Sequence, residues 1–355
     1  MPNKKEVTIY DIAESLNLSS ATVSRGLKDH PAIRKETKKR IMEKAKELGY
    51  RHNFFASNLR RNRTNTIGVI VPRLNSYFMS AVIAGIEKVA NEAGYNLVIS
   101  QSLESEKKET VNIKTMFNTR VDGLLVSLAY DTADDSHFKI ILDKNIPLIF
   151  FDRVFEHPLC TSVTIDNYAA GYAMTQHLIQ QGCKRIAHLT ANLRRNVYAD
   201  RLRGYKQALA DNGLSFDETL LFINSLEQAA SLQAIHAILK MAPMPDGIFS
   251  SNDSSAVLCI RELTKAGVNV PDDIAVGGFN DEPISTVIEP NLTTIHYPGQ
   301  EMGEVCASLL IRKLAKPENA DLNRVVLRHK LIIRESSLRK KLPDPVKRSP
   351  LTDNQ

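Results

Sequence analysis

Between residues 8 and 48, apolar positions recur at helical spacing in three short runs. Ile9, Ile12, Ala13 and Leu16 make the first, and three- and four-residue intervals put them on one helix face. Thr8 precedes the run as an N-cap, and Asp11 completes a capping-box-like pair. Asn17 and Leu18 break the pattern, and Ser19 is a second cap candidate. Residues 21–25 follow on a second short helix that ends near Gly26 and Leu27. A third helix is predicted from about 34 to 48, with Ile41, Ala45 and Leu48 as its apolar stripe and Gly49 as its stop. Two short helices joined by a tight turn form a helix-turn-helix.

From residue 66 the rhythm changes. Short apolar runs at 67–72, 96–100, 121–127, 147–151 and 163–165 alternate with helical stretches, of which 78–93 is strongly amphipathic. A second series follows at 185–189, 247–250 and 274–277. This is the βαβ rhythm of a parallel sheet covered on both faces. The stretch is too long for one sheet of common size, so two doubly wound lobes are expected. The predicted fold is an all-α helix-turn-helix head at 1–50, a hinge helix or linker at 51–64, and an α/β body at 65–335. Lobe one takes about 65–165 and 291–325, lobe two about 166–290 and 326–335. Residues 336–355 are expected to form a disordered basic tail.

Charge sharpens this division. The net charge of +6 splits into +8 on residues 1–65, −5 on 66–335 and +3 on 336–355. A concentrated basic head is the footprint of a polyanion-binding module, although a solvated lysine-rich helix face looks the same by charge alone. The chain is 43% apolar and 24% charged, which excludes collagen-like, mucin-like and wholly disordered classes. No apolar run approaches the roughly 20 residues of a membrane span, and residues 1–6 lead into no signal-like segment. A cytoplasmic location with no membrane partner is expected. Cys160, Cys183, Cys259 and Cys306 are scattered with no Cys-x-x-Cys pair. They are read as reduced, mostly buried thiols, with no zinc site, disulfide or cofactor expected.

In a helix-turn-helix the second helix enters the major groove. If Val23 packs inward, Ser20, Ala21 and Arg25 face out. Arg25 can bridge guanine O6 and N7, a contact worth about 1–3 kcal/mol of discrimination; a surface ion pair is the bland alternative. Tyr10, Thr22 and Asn53 suit phosphate contacts, which set register rather than sequence. Thr8 and Ser19 complete the candidate DNA surface.

The run Thr8-Ile9-Tyr10-Asp11-Ile12-Ala13, then Ser19-Ser20-Ala21-Thr22-Val23-Ser24-Arg25, resembles the head of the lactose-repressor (LacI/GalR) family of bacterial transcription regulators. Lys46-Glu47-Leu48-Gly49-Tyr50 matches too. The family's hinge is Pro-Asn-x-x-Ala-x-x-Leu; here Asn53, Ala56 and Leu59 are in place, with His52 at the Pro position. The resemblance implies a hinge helix that folds on operator DNA beside its copy from a second subunit. Leu59 would wedge into the central base step through the minor groove, flanked by Ala56 and Arg60. The alternative for Leu59 is a linker residue packed on the body.

Open α/β sheets bind ligands beyond the carboxyl ends of their strands. The polar residues expected there are Asn75, Tyr77, Phe78, Asp152 with Arg153, Asp166, Arg195, Arg201, Asn252 with Asp253, Asn280 and Asp281. Amides and carboxylates with a few aromatics suit a polar, polyhydroxylated small molecule. Asp166, Asp253 and Asp281 also stand where helix caps belong, and both readings are open. The segments 120–124, 151–153, 251–253, 270–274 and 292–295 resemble the same family's body, which is shared with periplasmic sugar-binding proteins. That resemblance implies a periplasmic-binding-protein-like body of two lobes joined by three crossings, with the helix from Gly299 on the first lobe. Arg201 and Asn252 match effector-holding positions. Asn280 stands where many relatives have an Asp that grips ligand hydroxyls, and Asp281 follows it.

The expected function is a sequence-specific transcription regulator, a repressor, controlled by a small-molecule effector that is a sugar or sugar derivative. A corepressor-dependent regulator sensing a purine-like metabolite is the alternative. A solute-binding protein would need an export signal and would lack the basic head. No catalytic role is expected: Gly-x-Gly-x-x-Gly, Gly-Lys-Ser/Thr and Gly-x-Ser-x-Gly turns are absent, and His177, His188 and His296 are isolated. The tail carries three prolines and no sustained heptad, so a homodimer on a pseudo-palindromic operator is expected rather than a coiled-coil tetramer.

Overall fold

The computed structural model describes residues 7–50, 63–316 and 323–339. It divides into two units, Met1–Thr64 and Asn65–Gln355. In the first unit, α1 (Ile9–Leu16), α2 (Ser20–Leu27) and α3 (Lys35–Glu47) enclose a small core of Ile12, Ala13, Val23, Ile41 and Ala45. The caps follow the sequence. The Thr8 amide and hydroxyl both donate to the Asp11 carboxylate, at 2.6 and 2.7 Å, and Ser19 Oγ accepts from the Thr22 amide at 3.2 Å. Asn17 ends α1 in the left-handed region (φ 52°), a conformation Asn tolerates better than other residues with a Cβ.

The second unit holds three sheets. The first is wholly parallel, in the order β11-β5-β4-β3-β1-β2, from β1 (Thr66–Val71), β2 (Asn96–Gln101), β3 (Gly123–Val126), β4 (Leu148–Phe151), β5 (Thr161–Ile165) and β11 (Arg324–Leu327). The second is also parallel, in the order β7-β6-β8-β9, from β6 (Ile186–Thr190), β7 (Leu221–Ile223), β8 (Gly247–Ser250) and β9 (Ala275–Gly277). An antiparallel pair, β10 (Thr294–His296) with β12 (Lys330–Ile332), joins the lobes. The central strands are buried on both faces, which is why they read as continuous apolar runs rather than alternating ones.

The helices are α4 (Tyr77–Glu92), α5 (Glu106–Asn118), α6 (Lys139–Leu142), α7 (Asn167–Gln180), α8 (Asn196–Asp211), α9 (Gln228–Ile238), α10 (Asp253–Lys265) and α11 (Gly299–Ala315). Two pairs cross in close contact. A Cβ on Gly204 of α8 would run into the main-chain oxygen of Tyr168 on α7, and one on Gly303 of α11 into that of Val82 on α4. As expected, α11 packs against the first sheet and α4. The α7–α8 crossing fixes the height of Arg201 above the second sheet, since Gly171 abuts the Arg201 main chain.

Three features differ from the sequence reading. The first lobe keeps the chain to Leu327, because β11 pairs with β5 along the sheet edge. The packed chain runs past 335. Ser336 and Ser337 are fully buried; Ser336 Oγ donates to the Val276 carbonyl at 2.6 Å, and Ser337 Oγ meets His177 Nε2 at 2.7 Å. The Arg339 guanidinium donates to the Pro271 and Asp246 carbonyls. Finally, β7, β10, β11 and β12 were not foreseen. All four cysteines are buried and free. Among the described residues no helix is long and apolar enough to cross a membrane.

Candidate functional site

The carboxyl ends of both sheets in the second unit open onto one cleft of about 610 Å³. The first lobe supplies Asn75 after β1, Glu104 after β2, Tyr130 after β3, and Asp152 and Arg153 after β4. The second supplies Tyr198 and Arg201 from α8, Glu227 after β7, Asn252 after β8, and Asn280 and Glu282 after β9. The strand order explains the placement. The strand order switches sense between β1 and β3 in the first sheet and between β6 and β8 in the second, and neighbouring loops diverge there to leave a crevice.

Arg201 forms the floor on the second lobe. It is 3% exposed. Its Nε donates to Asn167 Oδ1 at 2.9 Å and its Nη1 to the Ser251 carbonyl at 3.0 Å, while the guanidinium lies 3.5 Å from the centre of the Phe279 ring. Asp152 faces it from the first lobe, in the left-handed region (φ 58°). Its carboxylate accepts from the Tyr297 hydroxyl at 2.9 Å and from Ser127 Oγ at 3.3 Å. Burial raises the Asp152 pKa, against the opposing pull of Arg153 and Arg201. One wall is a charge chain that spans both lobes. Glu227 of lobe two pairs with Arg73 of lobe one at 2.7 Å. Glu104 takes Arg153 Nη1 at 2.7 Å, and Arg153 Nη2 donates to the Tyr198 hydroxyl at 3.2 Å. The Arg153 guanidinium also stacks 4.2 Å from the Tyr130 ring centre, and the two tyrosine hydroxyls lie 3.1 Å apart.

Of the residues expected to hold an effector, Asn75, Tyr77, Phe78, Asp152, Arg201, Asn252 and Asn280 line this cleft. Asp166, Arg195 and Asp281 do not. Asp166 is an exposed N-cap whose carboxylate accepts from the Ala169 amide at 2.8 Å. Arg195 points away into the first lobe, donating to the Thr132 carbonyl beside the Phe155 ring. Asp281 is held outside by Arg334 at 2.7 Å and His296 at 3.0 Å. Asn252 caps α10, with its Oδ1 on the Ser255 amide at 2.7 Å. Asp253 is buried behind it, bonded to Thr294 Oγ1 and the Glu282 amide, and burial pushes its pKa up to about 7. Sequence reasoning missed Glu104, Tyr130, Tyr198, Glu282 and Tyr297. The carboxyl-end rule reaches Glu104 and Tyr130, and Tyr198 lies one helical turn before Arg201.

In the first unit, Val23 is buried, as the outward placement of its neighbours requires. Thr8, Tyr10, Ser19, Ala21 and Arg25 are exposed, while Ser20 and Thr22 are half-buried. The Thr22 hydroxyl is already paired with that of Ser19 at 2.8 Å. Asn53, Ala56, Leu59 and Arg60 lie outside the described residues.

Residues 8–53 match the model of bacterial regulatory proteins of the lacI family, and residues 175–337 match a periplasmic binding protein-like domain. The chain is 32% identical over 332 residues to the HTH-type transcriptional regulator RegA of Clostridium saccharobutylicum, covering 93% of this chain and 99% of that one. It is 31% identical to catabolite control protein A of Priestia megaterium over the same shares. A solved complex of the transcriptional regulator CelR with cellobiose superposes with a TM-score of 0.71 at 27% identity, covering 93% of this chain and all of that one. Helix-turn-helix head and two-lobed body thus occur together, in the same order, along nearly the whole length of these regulators. The chain belongs to the lacI family of bacterial regulatory proteins and is a DNA-binding regulator of transcription, with an operator-reading head and an effector-binding body.

Proposed function

We propose that the chain is a homodimeric repressor whose cleft takes an unphosphorylated sugar or sugar derivative, and that occupancy of the cleft sets affinity for a pseudo-palindromic operator. The observation that carries this reading is the state of the charges in the cleft. Arg153, Arg73 and Arg201 already have partners in Glu104, Glu227 and the Asn167–Ser251 pair. A phosphate would have to compete with the Glu104 and Glu227 carboxylates for Arg153 and Arg73. What remains open to a ligand is a set of amides, the Tyr77 side chain and a carboxylate without a cation among the described residues (Asn75, Tyr77, Asn252, Asn280, Glu282), the groups that clamp ring hydroxyls. The relative in complex with cellobiose agrees with this class. In the head, Arg25 reads bases while Tyr10 and Thr22 set register on the phosphates. The function is binding and coupling, with no catalysed step. An effector that prefers one lobe arrangement shifts the dimer between operator-competent and operator-incompetent states.

The test is thermal unfolding of the full chain against a panel of unphosphorylated mono- and disaccharides, cellobiose among them. A sugar held at a hundredfold excess over its Kd should stabilise the body by about 2.7 kcal/mol. If no sugar raises the midpoint and a purine base does, the sugar reading is wrong.

A further inference from the structure

We propose that Glu282 is the specificity-determining acceptor of the cleft, taking hydrogen bonds from adjacent hydroxyls of a neutral sugar ring. The inference rests on the cleft reading above and goes further, in naming the group that decides which ligands enter.

The turn after β9 selects this side chain. Asn280 and Asp281 both have positive φ, at 113° and 56°. Non-glycine residues in such regions persist when their surroundings over-determine them. Here the Asn280 amide donates to the Ile295 carbonyl at 2.9 Å, Asp281 is clamped by Arg334, and the Glu282 amide donates to Asp253 Oδ2 at 2.7 Å. The result is an exchange of carboxylates. Asp281 is turned out of the cleft onto Arg334 and His296, and Glu282 lines it.

Glu282 differs from three other carboxylates at or near the cleft. Glu104, Glu227 and Asp281 each have an arginine partner. Among the described residues Glu282 has no ion-pair partner. It is 8% exposed and meets only neutral donors, Asn280 Nδ2 at 3.2 Å and Ser254 Oγ at 3.1 Å. Asn280 and Ser254 also line the cleft. The Asp253 carboxyl lies beside it, held on the Glu282 amide. A buried carboxylate in that setting gains from every further donor and disfavours an approaching anion. Each oxygen is held by one neutral donor, which leaves further lone pairs on a carboxylate that lines the cleft. Hydroxyls on neighbouring ring carbons supply two donors at matching spacing and bring no charge. The carboxylate of a sugar acid placed at this end would be repelled.

The experiment is calorimetric titration of the full chain with a panel of neutral sugars, each paired with its uronic or aldonic acid: glucose with glucuronate, galactose with galacturonate, cellobiose with cellobionate. The wild type should bind a neutral sugar more tightly than its acid. Glu282→Gln, which keeps the size and removes the charge, should lose roughly 10- to 100-fold for the neutral sugar and narrow its preference over the acid. Glu282→Asp, which keeps the charge but withdraws it by one methylene, should lose affinity and retain the preference; it also serves if the Gln variant folds poorly. Asn252→Ala is the comparator. Loss in Asn252→Ala with affinity unchanged in Glu282→Gln overturns the role of Glu282 and leaves the cleft reading intact. If no neutral sugar binds the wild type, the cleft reading and this inference both fall.

Discussion

Arg201→Ala should abolish the effector response and, in the same variant, weaken the body. The buried guanidinium satisfies Asn167 Oδ1 and the Ser251 carbonyl and covers the Phe279 ring. Its removal leaves two buried acceptors without their donor, each worth about 1–3 kcal/mol, in addition to lost packing. A loss of about 2–5 kcal/mol in urea unfolding of the full chain is expected. Operator affinity without ligand should stay near wild type at temperatures where the variant is folded, because the reading surface lies in the other unit. Arg201→Lys supplies the charge without the planar fork, so it should recover part of the stability and little of the response. A variant that still releases or tightens on operator with the wild-type sugar profile would remove Arg201 from the site.

The second large effect is expected at Arg25. The side chain is exposed on α2 and has no ion-pair partner among the described residues. Arg25→Ala should weaken operator binding by about 1–3 kcal/mol and flatten discrimination at one base-pair position in each half-site. Tyr10→Phe, by contrast, should act almost equally on every operator variant, because a phosphate contact carries no base identity. Fluorescence anisotropy over a set of single-base operator variants separates the two patterns. Unchanged discrimination in Arg25→Ala would refute base readout by this residue.

The head was legible in the sequence almost residue by residue. Its elements are short, the first two begin at side-chain caps, and Thr8 with Asp11 and Ser19 are all in use. The doubly wound lobes were legible because strands buried on both faces read as unbroken apolar runs. What escaped were strands whose pairing is their main support. β7 and β12 are three residues each, and β11 is half-exposed on an edge. The cleft was legible where a rule about strand ends suffices, as for Asn75, Asp152 and Asn252. It was not legible where a side chain's direction depends on a turn. Asp281 and Glu282 are adjacent, and two positive φ angles decide which of them lines the cleft. Arg195 and Arg201 both precede or enter α8, yet one docks on the first lobe and the other forms the floor.

The central claim is that one small molecule in the cleft and one operator on the head bias the same equilibrium. Linkage requires the coupling to be reciprocal. The direct measurement is the affinity of the stabilising sugar for the full chain, alone and with saturating operator, beside the affinity of operator with and without that sugar. The account predicts that both ratios agree and differ from one by roughly 5- to 150-fold. Equal sugar affinity with and without operator would contradict it.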